Sequence, residues 1–183
     1  WTALNRSKLK AGHNVLIIGA GGLGQYALLI AKARGAHVIV VDRDPAKLET
    51  AHGLGADATI VAGSDAGKNV KKAGGADVIL NFAPSASVWP TICDAVNPLS
   101  DVVAIALVEQ PVDLEMLWLI DGGHRVFGSS VGTRQDLIDF LTFAAQHPLA
   151  VHVETVPFDQ VDDALNRLAS GALTGRLCID FSL

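Results

Sequence analysis

Asn14-Val15-Leu16-Ile17-Ile18-Gly19-Ala20-Gly21-Gly22-Leu23-Gly24 joins an apolar, β-branched run to a glycine-rich turn. From Gly22 to Arg34 the spacing becomes helical, with Leu23, Ala27, Ile30 and Ala31 on one face. Gly35 stops that helix as a C-terminal cap. A strand, a Gly-x-Gly-x-x-Gly turn and a helix, in that order, give the motif its physical use. Gly19 makes the tight turn off the strand. Gly21 carries no side chain to hold off a diphosphate, and Gly24 lets the helix pack close to the sheet. Free N–H groups at the helix start, near Gly22 and Leu23, point at an anion, and the helix dipole favours negative charge there. The stretch predicts a dinucleotide-binding loop.

The next strand supports this. His37 to Val41 is apolar and ends at Asp42, 18 residues past Gly24. A carboxylate there accepts hydrogen bonds from the adenosine ribose hydroxyls and repels the 2′-phosphate of NADP. NAD is therefore expected rather than NADP. Arg43 pulls the other way, since a guanidinium can pair with a 2′-phosphate; its alternative place is over the adenine or in solvent.

Farther out, strands and helices keep alternating. Asp44 and Pro45 open a helix as N-cap and first helical residue, and it stops at Gly55. Strands are expected at Ala58–Val61, Asp77–Phe82, Asp101–Leu107 and Arg125–Phe127, with helices at Ala66–Lys72 and Ser87–Val96. Strands that do not alternate in polarity, separated by helices, mean a parallel sheet covered on both faces. The fold class is α/β: a Rossmann-type doubly wound parallel sheet. The chain divides into a dinucleotide-binding domain over 1–130 and a helix-strand-helix-strand segment over 131–183. In that segment Thr133 to Gln146 is helical, with Leu137, Phe140, Leu141 and Ala144 facing inward. A strand at Val151–Val156, a helix at Phe158–Ser170 and a strand at Arg176–Phe181 follow.

Composition narrows the function classes. Half the residues are apolar and 18% are charged, which is a globular balance. No apolar run is long enough to span a bilayer. A formal charge of −5 leaves no basic stripe for nucleic acid. Cys93 and Cys178 form no Cys-x-x-Cys pair and are expected to be buried small hydrophobes in a reducing, cytoplasmic setting. The chain opens on Trp1, and Trp1-Thr2-Ala3-Leu4 reads like a helix interior, so a longer parent sequence is expected. Gly63-Ser64-Asp65-Ala66-Gly67-Lys68-Asn69 imitates a phosphate loop, but its glycines are one residue too close and Asn69 replaces the hydroxyl that would hold magnesium.

Catalytic groups are missing from the pattern. Tyr26, the one tyrosine, is followed four residues later by Ile30, not Lys. The six histidines show no metal-ligand spacing. Ser129 and Ser130 have no local base. No residue is assigned a catalytic or metal-binding role.

With these residues in place, the whole chain resembles the C-terminal half of medium-chain, zinc-type alcohol dehydrogenases. The matching pieces run in order: Trp1-Thr2-Ala3-Leu4, the glycine loop, Ala31-Lys32-Ala33-Arg34-Gly35-Ala36, Val41-Asp42-Arg43, Lys47-Leu48, Leu54-Gly55-Ala56-Asp57, Gly128-Ser129, Gly132-Thr133 and Gly175-Arg176. The shorter form of the glycine loop matches the zinc branch, not the zinc-free quinone reductases. The resemblance implies further roles. Lys47 would reach the adenosine ribose and Arg176 the pyrophosphate, and the backbones at Ala106 and Ser130 would flank the nicotinamide. It implies hydride exchange between a small alcohol or carbonyl substrate and NAD. The zinc would be held in the full-length protein by ligands with no counterpart here. It also implies a homodimer through the strand near Arg125–Ser129, and a 131–183 segment whose packing partner is absent, leaving apolar surface exposed. Phe82-Ala83-Pro84 and Ala106-Leu107 stand where the family often has glycine. The competing readings are a stand-alone NAD-binding module and a zinc-free reductase.

Overall fold

The computed structural model describes residues 1–171, 173 and 175–182. Six parallel strands form one sheet: β1 (Asn14–Ile18), β2 (His37–Asp42), β3 (Ala58–Val61), β4 (Ala76–Asn81), β5 (Val96–Ala104) and β6 (Arg125–Gly128). Their order is β3-β2-β1-β4-β5-β6. The chain winds outward from β1 in one direction, then crosses to β4 and winds outward in the other. This is the doubly wound Rossmann arrangement, with its switch point between β1 and β4.

Both faces are covered because the central strands β1, β2 and β4 are apolar on both sides. Val15 and Ile17 of β1, Val38 and Val40 of β2, and Val78 and Leu80 of β4 enter one core. They meet α2 (Gly22–Ala33) and α3 (Pro45–Gly53) through Leu28, Ile30, Leu48 and Ala51. Leu16, Ile18, Ile39, Val41 and Ile79 point the other way. They pack on α4 (Ala66–Lys72) and α5 (Trp89–Ala95) through Val70, Trp89 and Ile92. The period of two along a strand therefore divides each apolar run between two cores. The first helix, α1 (Thr2–Arg6), buries Leu4 in the first of them.

Beyond the sheet, α6 (Met116–Asp121) precedes β6, and α7 (Arg134–Gln146) follows it. A reciprocal capping box starts α7: Asp136 N donates to Thr133 Oγ1 (3.1 Å), and Thr133 N donates to Asp136 Oδ2 (2.8 Å). β7 (Val153–Pro157) and β8 (Arg176–Asp180) pair as a separate two-stranded parallel sheet, with α8 (Val161–Ala169) between them in sequence.

Several expectations are corrected. β5 begins at Val96 and ends at Ala104, not Asp101 to Leu107, and α5 stops at Ala95, after a 3-10 turn at Ala86–Val88. The early part of β5 carries Pro98 and Leu99 at φ 62°, an irregularity that shifts its register against β4. Periodicity has no template for that. Cys93 is half-buried and Cys178 exposed, because Cys178 lies on the small sheet, outside the main core. Leu23, expected inward, is 53% exposed in the first turn of α2, while the next two residues, Gly24 and Gln25, are buried.

Leu137 and Leu141 do not face inward: they are 56% and 57% exposed, beside exposed Ile138. Phe140 and Phe143 make the contact of α7 with the body, against the Trp1 ring at 5.9 and 5.2 Å between centroids. A fluorescent hydrophobic dye is expected to bind this exposed face. Leu137→Glu with Leu141→Glu should dim it while moving the thermal midpoint by only about 1–2 °C, as exposed sites do. Undiminished fluorescence would place the dye elsewhere.

Candidate cofactor site

The sequence-predicted residues gather at the C-terminal ends of the strands. Gly19 leaves β1 at φ 100°, a conformation that L side chains rarely adopt, and its N–H donates to Val41 O of β2 (2.8 Å). Gly21 is the N-cap of α2, and a Cβ built there would meet nothing within 4 Å. A Cβ on Gly24 would overlap the Gly19 carbonyl oxygen. The three fingerprint glycines thus serve three purposes: the turn, an open approach, and a backbone-to-backbone contact. Gln25 N makes the first intrahelical bond, to Gly21 O (2.9 Å). The N–H groups of Gly22, Leu23 and Gly24 precede it, at the positive end of a twelve-residue helix.

Asp42 closes the loop from the next strand. Its Oδ2 accepts from Ala20 N (2.6 Å) and its Oδ1 from Asp44 N (2.9 Å). The carboxylate is half-buried, and each oxygen keeps a lone pair beyond these bonds. Arg43 beside it is exposed. Asp44 then caps α3 by accepting from Ala46 N (2.9 Å).

Arg176 comes from the far end of the chain to the same place. Its Cδ and the Gly175 carbonyl oxygen both lie 2.6 Å from where a Cβ on Gly22 would stand. Only a glycine at position 22 leaves room for them. Lys47 Nζ donates to Gly171 O (2.9 Å), in the same C-terminal stretch. On the other side of the switch point, Ala106 N and Ile105 N both donate to Asn81 O (3.0 and 3.1 Å). Ser130 is exposed, while Ser129 is buried and donates its N–H to Ala104 O (2.9 Å).

Two features escaped the sequence reading. Asn81 is buried, and its Oδ1 accepts from Ala83 N (3.0 Å), shaping the turn after β4. An Asn at a strand end just before a Pro-containing turn was the available signal. The Lys47–Gly171 bond spans 124 residues and left no trace in sequence. Among the described residues, no three His, Cys, Asp or Glu side chains converge to hold a metal. No helix among them is long and apolar enough to cross a membrane. Two shallow hollows lie away from this site, both touching His124: one beside Arg6 and Phe127, the other beside Cys93 and Trp118.

Residues 22–146 match the family model of zinc-binding dehydrogenases. The chain is 32% identical over 181 residues to an alcohol dehydrogenase of Geobacillus stearothermophilus, covering 98% of this chain and 54% of that protein. It is 31% identical to cinnamyl alcohol dehydrogenase 7 of Oryza sativa subsp. japonica, covering 93% and 45%. Among solved structures, the alcohol dehydrogenase of Aeropyrum pernix superposes with a TM-score of 0.87 at 27% identity, covering 96% of this chain and 52% of that one. Acetophenone reductase of Geotrichum candidum, solved in complex with NAD, also gives 0.87 at 27% identity, covering 99% and 52%. The chain spans about half the length of the curated relatives it matches. By its glycine loop, its strand order and these matches, the chain belongs to the zinc-type medium-chain alcohol dehydrogenase family, of which it is the dinucleotide-binding portion.

Proposed function

We propose that this chain binds NAD(H) for a dehydrogenase that exchanges hydride between a small alcohol and its carbonyl compound. The observation that carries the reading is the pairing of an open, glycine-capped helix start at Gly21 with the Asp42 carboxylate on the adjacent strand. NAD, when bound, supplies the hydride acceptor. The amides of Gly22 and Leu23 and the guanidinium of Arg176 meet its diphosphate. Asp42 takes the adenosine ribose, with Lys47 on the same side, and Arg43 covers the adenine. The backbones at Ala106 and Ser130 flank the nicotinamide. Fit is supported by the empty space beside Gly21, which a Cβ would occupy. The reading assigns 1–130 to the dinucleotide domain and 131–183 to a segment that packs on the substrate-binding part. It assigns the zinc ligands and the substrate pocket to sequence beyond these residues, a cytoplasmic setting to the enzyme, and pairing of two β6 strands to a homodimer.

Titration calorimetry with NAD tests the reading, and millimolar dinucleotide that gives no heat with folded protein would end it. The Asp42→Asn variant tests its electrostatic half. Losing the charge should weaken NAD several-fold and shift the NAD-to-NADP preference by roughly tenfold toward NADP, because the repulsive element is gone. An unchanged preference would remove Asp42 from the discrimination.

A further inference from the structure

The family resemblance places Lys47 at a sugar, and its ammonium also reaches a backbone carbonyl. Lys47 lies on α3 and is half-buried, and Nζ donates to Gly171 O at 2.9 Å. Gly171 has φ 74° and stands five residues before Arg176. The other end of that stretch is fixed separately. Arg176 N donates to His152 O (2.9 Å), and Gly175, at φ 91°, has no room for a Cβ against the same His152 carbonyl. Arg176 Cδ then comes to rest against Gly22, the first residue of α2. Gly171 is thus held by α3, while Gly175 and Arg176 are seated on the start of α2. The intervening bond is charge-assisted, which makes it about twice as strong as a neutral one.

We propose that Lys47 is a positioning residue. By holding the Gly171 carbonyl it keeps Arg176 at the N-terminus of α2, where the guanidinium meets the phosphates. This rests on the dinucleotide reading above. His152 fixes the Arg176 backbone within the small sheet, and the Lys47 bond adds a hold on α3; with both made in advance, less ordering is left for the moment a ligand binds. The ammonium has three donors, and the carbonyl uses one. A sugar contact is therefore compatible with the bond, and the two roles must be separated by ligand chemistry.

ADP and 2′,3′-dideoxy-ADP separate them. They share the diphosphate, but the second lacks the hydroxyls that a sugar-directed lysine would grip. Lys47→Met keeps the aliphatic stem and loses the donor. It is expected to weaken both ligands by about tenfold. In an Arg176→Ala background the same change should cost almost nothing, so the double-mutant cycle shows strong coupling. Lys47→Arg, which keeps a cationic donor, should bind both ligands within about threefold of wild type. If most of the Lys47→Met effect vanishes with the dideoxy ligand, or persists in full without Arg176, the lysine acts on the sugar or on its own and the proposal is overturned. A wild-type protein that binds no ADP would instead remove the dinucleotide reading, and this inference with it.

Discussion

Gly24→Ala is expected to lose dinucleotide binding by about a hundredfold or more and to lower stability by roughly 1–3 kcal/mol. Gly21→Ala, three residues earlier in the same turn, should weaken binding by at least about tenfold with little effect on the fold. The difference follows from what each new methyl group meets. At Gly24 it overlaps the Gly19 carbonyl oxygen, a backbone atom that cannot rotate away, and lies 3.5 Å from Ile17 Cγ2. The turn must open, which drags the amides at the tip of α2 out of line. At Gly21 nothing stands within 4 Å, and φ −71° suits alanine as well as glycine. The remaining cost is the poorer N-cap, below about 1 kcal/mol. The added methyl instead occupies the space proposed for the phosphates. For a chain of this length the Gly24 change should lower the melting temperature by about 2–10 °C. Paired melts and NAD titrations of both variants check this. A Gly24→Ala protein that binds like wild type would remove the close turn from the account of the site.

The reach of sequence reading differs along the chain for physical reasons. β1, α2, β2 and α3 were legible nearly to the residue, because Gly19, Gly35, Asp44-Pro45 and Gly55 mark their ends with backbone chemistry that few other residues supply. The Asp44 cap forms as the residue types require. Helix α6 gave no such mark: Met116-Leu-Trp-Leu-Ile120 is a continuous apolar run with neither a capping side chain nor a polar face. α7 shows a different limit. Its spacing identified an apolar face, but periodicity says nothing about what covers it, and Leu137 and Leu141 are exposed. In the candidate site the local parts were legible, since each glycine and Asp42 acts within its own strand-turn-helix unit. The contacts of Lys47 and Arg176 join positions more than a hundred residues apart, and only the folded chain brings them together.

A large stability effect outside the cores is expected at Asp101. Its side chain has no exposed surface, and it faces Arg125 directly across β5 and β6, with which it is in register. Arg125 Nε donates to Oδ1 (2.6 Å), Arg125 Nη2 bonds to Oδ2, and Lys8 N also donates to Oδ2 (2.6 Å). One carboxylate thus ties the last strand of the sheet to the segment between α1 and β1. Asp101→Ala leaves the Lys8 amide and the Arg125 fork without their acceptor, and should cost about 3 kcal/mol. Asp101→Asn, which can still accept once, should cost less. Acidity supplies a second readout. Burial opposes ionisation of Asp101, but the hydrogen bonds from Arg125 and Lys8 N, with their charges, outweigh it and hold the carboxyl below its ordinary 3.8. Asp57 behaves alike: burial opposes its charge, while Lys32 and Val38 N hold it down. A depressed folded pKa means that the unfolded chain takes up the proton first. The stabilisation is therefore complete at neutral pH and is lost as pH falls below about 4, through the folded values. The gap in urea midpoint between wild type and Asp101→Ala should be widest at neutral pH and should narrow as pH falls below about 4, since acid begins to remove from one what mutation removed from the other. The Asp57 contribution leaves a residual slope in both. Equal midpoints at neutral pH would show that Asp101 does not hold β6 in place. β6 ends at Gly128, and Ser130, proposed to flank the nicotinamide, follows two residues later, so the strand that this ion pair fixes is the one that leads to it.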